Sequence, residues 1–315
     1  MVDDSLREIY EQTNDTDLLR EIVPKLVRYF TLPWGVLRTN RYFNWWKTER
    51  DVDGNGLVSI LHPWESGIDL SPAYDPALGV AEKNRARPTW KQAYSPLIKL
   101  VLQYNFLHGT PPSKPPSHAL GWNQKTILER KRAPKLSPFK SWFRVQDIAV
   151  NCVYASGWGI LGDLAATFDP ALAEECYTNQ KAAEQAIIQH MYDPQTKLFT
   201  HLWHAKDGSQ QRHPVKTIQT LFPLLLDSIP SEAVDEIVRL LGDENEFGTQ
   251  YMVPTVAKSE KEYNPVANTL LLWRGPVWGF TNWFIMYGLE KHGKGYPFQP
   301  RCPPSRSITC SFCVL

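Results

Sequence analysis

The sequence predicts an all-α fold in which helices pair into a toroid or solenoid, and three observations carry it. Apolar residues recur at helical spacing in segment after segment. Long, Pro-rich loops join those segments on one side of the helix pairs. No strand–turn–helix with a glycine fingerprint appears, which argues against a doubly wound nucleotide-binding sheet. No fixed-period repeat of the solenoid kind is present.

The elements follow in order. A short helix opens the chain, with Leu6, Ile9 and Tyr10 on one face. The cap-like Asn14-Asp15-Thr16 then starts a longer one, in which Leu18, Leu19, Ile22, Leu26, Val27 and Phe30 share a face. Pro24 lies inside it and predicts a kink or break. A further helix is expected near 36–47. Residues 51–90 read as a long loop, of a length that is usually functional when it is not disordered. A helix at about 91–108 and a second Pro-rich loop at 109–140 come next. Helices return at 143–167 and 170–190. A turn flanked by aromatic runs predicts a small β-hairpin at 192–206. Helices near 216–227 and 231–242, a loop at 243–273 and a last helix at 276–292 complete a domain spanning 1–293. Residues 294–315 form an irregular tail that reads as unrelated coding sequence.

Composition narrows the function classes. The chain has 315 residues, enough for one large domain or two ordinary ones. Lys+Arg is 34 against Asp+Glu 33, a net charge of +1 that argues against a nucleic-acid partner. No apolar run approaches the length of a membrane span, and the N-terminus MVDDSLREIYEQ is no signal peptide. A native N-terminus of this kind implies a cytoplasmic protein. Five cysteines do not make a disulfide scaffold, and no cofactor or metal is expected. Aromatics are abundant, with 12 Trp, 13 Tyr and 13 Phe. They suit a ring-filled helical core or a ring-lined sugar cleft, and composition alone leaves both open.

Two clusters carry candidate chemistry. The first is His62-Pro63-Trp64-Glu65-Ser66-Gly67-Ile68-Asp69, followed by Ser71-Pro72-Ala73-Tyr74-Asp75. Glycoside hydrolysis needs a carboxylic acid to protonate the leaving oxygen and a second carboxylate across the ring. A Trp-walled site can raise the acid's pKa by desolvation. Asp69 and Asp75 are equally residues that cap helices and turns, so the residues alone leave two readings. The second cluster is Trp273-Arg274-Gly275-Pro276-Val277-Trp278. Pro276 suits the first turn of a helix, Gly275 allows close backbone approach, and Arg274 supplies a rigid donor fork. A helix N-terminus packed by aromatics would look the same.

Together, HPWESGxD-x-SPxxD and WRGPVW closely resemble the glycoside hydrolases of family 63 and their relatives, the mannosylglycerate and glucosylglycerate hydrolases. FRVQDIAVN at 143–151, MYDPQTKLF at 191–199, FGTQYMVPTVA at 247–257 and YGLEKHG at 287–293 resemble family segments in the same order. The resemblance covers roughly residues 5–293. It implies an incomplete (α/α)6 toroid of helical hairpins, with the site at one end and the loops 51–90 and 264–278 meeting there. It implies a carbohydrate substrate, an α-linked glucoside or mannoside of glycerate or of an oligosaccharide, cleaved with inversion. Asp69 takes the place of the general acid. Trp64, Glu65 and Gly67 line the sugar subsite, joined by Trp273, Arg274, Gly275 and Trp278. Leu272 stands where relatives carry an aromatic, and Leu70 where they are usually polar. The family's Trp-x-Trp-Asp motif and the Glu-x-Tyr-Asp/Asn-Pro segment of its general base are not found. The resemblance therefore also implies a chain truncated at both ends and catalytically incomplete. Its alternative role is an inactive carbohydrate-binding remnant or a helical interaction scaffold.

Two weaker signals complete the reading. Asp51-Val52-Asp53-Gly54-Asn55-Gly56 mimics the start of a calcium loop, but His62 stands where its bidentate Glu is needed. Cys310-Ser311-Phe312-Cys313 has no second pair and is read as chance. Residue chemistry does not decide the oligomeric state.

Overall fold

The computed structural model describes residues 2–31, 50–68, 71–78, 143–205, 207–250, 252–265 and 272–295. Helix α1 is Val2–Thr13, α2 Thr16–Thr31, α3 Ile148–Ala165, α4 Pro170–Met191, α5 Ser231–Gly242 and α6 Gly279–Lys291. The helices expected near 36–47 and 91–108, the loop at 109–140 and most of the tail lie outside the described residues.

Helix α3 is the axis of the packing. It is buried on nearly all sides, and α1, α2, α4 and a 3-10 helix at Ile218–Leu225 pack on it. By length and composition it could cross a membrane, whereas the sequence predicts no segment that could; 89% of it is buried inside the fold, as in a core helix. It starts later than the expected residue 143. Asp147 accepts a hydrogen bond from the Val150 N–H at 2.9 Å and caps the helix, while Val145–Gln146 form a strand. The turn Ala166–Asp169 leads into α4, whose own cap is Asp169 with Pro170 in the first turn. Helices α3 and α4 make the clearest hairpin of the fold.

Helix α2 begins on the Asp15 side chain, which accepts from the Leu18 N–H at 2.9 Å. It runs unbroken through Pro24. Leu19, Val23 and Val27 are buried and α2 packs on α3. That packing outweighs the one backbone hydrogen bond a proline removes. In α1, Leu6 is buried and Tyr10 rests on the core, but Ile9 is exposed, so the expected face is one residue too wide. The segment expected as a helix at 216–227 is a buried 3-10 helix, with Pro223 inside it. Helix α6 starts at Gly279, not at Pro276. Val277 is held beforehand in an antiparallel bridge with Pro254.

Strands are more numerous than the single expected hairpin. β1 (Ser59–Ile60), β2 (Val145–Gln146), β5 (His201–His204) and β6 (Gln210–His213) form one antiparallel sheet in the order β1-β2-β5-β6. β3 (Tyr192–Asp193) and β4 (Leu198–Phe199) form a second pair. The larger sheet positions the site. β1 feeds the loop that follows residue 60, and β2 feeds the N-terminus of α3, so the two run side by side.

Candidate active site

The loop after β1 is built from two tight turns. His62 Nδ1 accepts from the Trp64 N–H at 3.1 Å, Pro63 begins a 3-10 turn over Pro63–Ser66, and Gly67 ends it at φ +70°. The His62 ring meets the Trp64 indole edge-on, 5.3 Å between centroids. Trp64 keeps 39% of its surface exposed although His62 and Pro63 beside it are buried, so it stands as an open ring platform. Glu65 is clamped. Both its oxygens accept from the Arg50 guanidinium at 2.9 Å, and one also accepts from the Leu61 N–H. Its carboxylate staples the loop to the chain before β1. The second turn, Pro72–Tyr74, is capped by Ser71. Asp69 lies outside the described residues. Its described flanks, Ile68 and Ser71, are both buried, and the Ser71 N–H donates to the Ile68 carbonyl at 3.0 Å.

The second loop is equally constrained. Trp273 and Trp278 stack 4.8 Å apart, and Trp278 Nε1 donates to the Leu272 carbonyl at 2.7 Å. Trp273 is buried behind Trp278, which is half-buried. Gly275 sits at φ +152°, and a Cβ there would lie 2.3 Å from the Asn264 carbonyl oxygen. The close approach expected at this glycine is therefore to the chain's own backbone. The Asn264 N–H closes the same contact by donating to the Arg274 carbonyl at 2.6 Å.

The two loops are joined by Arg274 and Asp75. The guanidinium donates to both carboxylate oxygens, at 2.6 and 3.0 Å, with Arg274 only 2% exposed. The loops thus meet as expected, but the donor fork of Arg274 is engaged by Asp75 and holds the loops together. Glu262 also lies near this junction. Burial raises its pKa, and the charges of Asp75 and Glu260 add to the rise. Glu260 accepts from the Lys216 N–H at 3.1 Å. Glu290 lines a separate cavity of about 380 Å³ with Arg7, Asp163, Asp227 and Tyr287. It is a further 12 residues along α6 from Trp278, roughly 18 Å at 1.5 Å per residue.

Beneath the first loop lies a buried polar cluster that sequence reasoning did not single out. Asp147 Oδ2 accepts from Tyr74 Oη at 2.7 Å and Gln219 Nε2 at 2.7 Å, and lies 3.2 Å from His201 Nδ1. Burial alone would raise the Asp147 pKa. The hydrogen bond and charge of His201, then the Val150 N–H and the Tyr74 hydroxyl, outweigh it and hold the carboxyl below the usual range. The same burial and the Asp147 charge push the Tyr74 phenol far up. Gln219 Oε1 accepts from Ser71 Oγ at 2.6 Å, and Gln219 Nε2 also donates to Tyr74 Oη at 2.8 Å. An aspartate before an apolar helical run was the available signal for Asp147 as a helix cap. Nothing local marks Gln219 or His201, because their partners are remote in sequence.

The calcium-like segment does not converge on an ion site. Asp51 accepts from the Asn55 and Gly56 N–H groups, as turn aspartates do. Asp53 is paired with His204 at 2.8 Å and Arg144 at 3.3 Å. Asn55 faces Gln146. Among the described residues no group of His, Cys, Asp and Glu is placed to hold a metal.

Comparison with known proteins gives the family and the fold. Residues 1–304 match the family model of the mannosylglycerate hydrolase MGH1-like glycoside hydrolase domain. Mannosylglycerate hydrolase MGH1 of Selaginella moellendorffii is 27% identical over 303 residues, covering 92% of this chain and 54% of the relative. Glucosylglycerate hydrolase of Mycolicibacterium hassiacum is 22% identical over 271 residues, covering 82% of this chain and 56% of the relative. The chain thus spans little more than half the length of these relatives. The crystal structure of the GH63 mannosylglycerate hydrolase from Thermus thermophilus in complex with Tris superposes with a TM-score of 0.65 at 23% identity, covering 93% of this chain and 64% of that one. The structural likeness establishes a shared fold, and the match over nearly the whole sequence places this chain in the family of MGH1-like glycoside hydrolase domains.

Proposed function

We propose that the chain carries the sugar site and the general acid of a hydrolase for an α-linked mannoside or glucoside, of glycerate or of an oligosaccharide, on a partial (α/α)6 toroid, without the second carboxylate that turnover requires. The observation that carries the reading is the junction of the two loops. Asp75 and Arg274 bring the HPWESG segment and the RGPVW segment together, with Trp64 open to solvent and Trp278 fixed by its indole hydrogen bond. Open and half-open rings beside a carboxylate-bearing loop suit a sugar, whose C–H face packs on an indole while its hydroxyls meet polar groups.

In this reading Asp69 protonates the leaving glycosidic oxygen, and a water attacks the anomeric carbon from the opposite face. The product is inverted. The step needs a second carboxylate roughly 6.5–9.5 Å from the first, with room for the water. Gly67 and the Glu65–Arg50 clamp give the acid loop its shape. Trp273 stacks on Trp278, and the Arg274–Asp75 pair ties their loop to the first. Titration calorimetry with mannosylglycerate and glucosylglycerate tests the substrate class. Wild type is expected to bind at least one of them, and Trp64→Ala to weaken that binding about tenfold with little change in melting temperature, as for loss of one ring contact. Absence of binding to both ligands would sink the reading. Binding without turnover is the expected result, and turnover would show that a carboxylate of this chain serves as base.

A further inference from the structure

We infer that Asp147 is a positioning residue for the loop that follows Asp69, acting through Gln219 and Ser71. Every group in this relay is buried: Ser71, Tyr74, Asp147, His201 and Gln219 are each at most 1% exposed. None of them reaches solvent, so their hydrogen bonds are made inside the fold; of this cluster only His201 Nε2 has no partner among the described residues.

The direction of the relay follows from which atoms can donate. An ionised carboxylate accepts only. Asp147 Oδ2 therefore requires the amide nitrogen of Gln219 on its side, at 2.7 Å. That places Gln219 Oε1 on the other side, where it accepts from the Ser71 hydroxyl at 2.6 Å and from Thr217 Oγ1 at 3.2 Å. The Ser71 hydroxyl, committed as a donor to Gln219, uses a lone pair for the Ala73 N–H at 3.3 Å and caps the next turn. Tyr74 closes the ring, donating to Asp147 and accepting from Gln219. The negative charge at the N-terminus of α3 thus sets the orientation of one amide and one hydroxyl, ending two residues after Asp69 in sequence. Asp147 itself cannot drift, because its other oxygen caps α3 through the Val150 N–H.

The relay is chemically reversible by exchange of its ends. In an Asp147→Asn, Gln219→Glu double variant, the amide oxygen introduced at position 147 still caps Val150, since asparagine caps as well as aspartate. The amide nitrogen beside it then donates to the carboxylate introduced at position 219, which also accepts from Ser71. His201 Nδ1, which already accepts from the Ile148 N–H at 3.4 Å, can accept from the new amide as well. Each single variant breaks the direction instead: Gln219→Glu sets two carboxylates against each other, and Asp147→Asn offers two amide nitrogens to one another.

The test is hydrogen exchange over residues 61–78, together with mannosylglycerate affinity, in wild type, both single variants and the double variant. Each single variant is expected to speed exchange in 61–78 at least tenfold while residues 231–242 of α5 stay within twofold. The double variant should return to within about threefold of wild type. Ser71→Ala, which leaves Asp147 and Gln219 intact, keeps the test available if a single variant fails to fold, and it should raise loop exchange in the same way. Unchanged loop exchange in the singles and in Ser71→Ala, or a double variant no better than the worse single, would overturn the inference. The link to catalysis rests on the reading of Asp69 given above. If wild type binds no sugar, that reading fails on its own, and the exchange result still decides whether Asp147 anchors the loop.

Discussion

Arg274 and Asp75, 199 residues apart in sequence, form a two-pronged ion pair at 2.6 and 3.0 Å, with the Arg274 side chain 3% and the Asp75 side chain 15% exposed. The pair fixes the distance between the loop that carries Trp64 and the loop that carries Trp278. A surface ion pair would contribute little. A buried one costs heavily when a single partner is removed, because the other charge is left uncompensated.

Arg274→Ala is therefore expected to lower stability by about 3–5 kcal/mol, and Arg274→Lys by less while still losing the two-pronged geometry. Both should weaken sugar binding. Urea unfolding and titration calorimetry on the two variants check this. An Arg274→Lys variant that binds sugar as wild type does would show that the fork is not what sets the loop spacing.

The two motif glycines are expected to respond differently. Gly275→Ala must place a Cβ 2.3 Å from the Asn264 carbonyl oxygen at a φ that L residues rarely adopt, so backbone has to move. A loss above about 3 kcal/mol is expected. Gly67→Ala meets nothing within 4 Å and bears only the strain of its left-handed φ of +70°, about 1 kcal/mol. Equal losses for the two in thermal unfolding would contradict the assignment.

Acid should destabilise the fold through His213. Burial, and then the neighbouring His201, push its pKa down from 6.5 to about 4. The folded state prefers the neutral ring, so the contribution is present above the unfolded value and is lost as pH falls from 6.5 toward 4. His213→Gln is expected to remove part of that loss, on the order of 2 kcal/mol after solvent screening. Melting curves at pH 7.5, 5.5 and 4.5 for both proteins measure it. Parallel pH profiles would place the acid sensitivity elsewhere.

Turnover of p-nitrophenyl α-glucoside and glucosylglycerate by the 315-residue chain is expected to be undetectable. Glu290 is at the far part of α6 and Glu260 is committed to Lys216. Glu262, near Asp75, has a pKa raised in the direction that suits a general base, so it is the carboxylate to test. Turnover abolished by both Asp69→Asn and Glu262→Gln would reverse this expectation and make Glu262 the second carboxylate.

Sequence alone determined the helices whose signals are local. Asp15 and Asp169 cap α2 and α4, Pro170 starts α4, and the apolar face of α5 recurs at helical spacing, so their bounds were legible. The motif residues Trp64, Glu65, Gly67 and Arg274 were legible by type as well. Their partners were not. Glu65 is held by Arg50, Arg274 by Asp75, and Gln219 by Ser71 and Asp147, through contacts that no local pattern records. The four-stranded sheet was missed for the same reason: its strands of two to four residues are too short for alternation to show, and they exist through pairing with distant segments. Only tertiary packing could carry α2 through Pro24, where burial of Leu19, Val23 and Val27 outweighs one lost hydrogen bond. Helix propensity and capping act within a few residues of chain. A buried charge finds its partner only when the chain has folded.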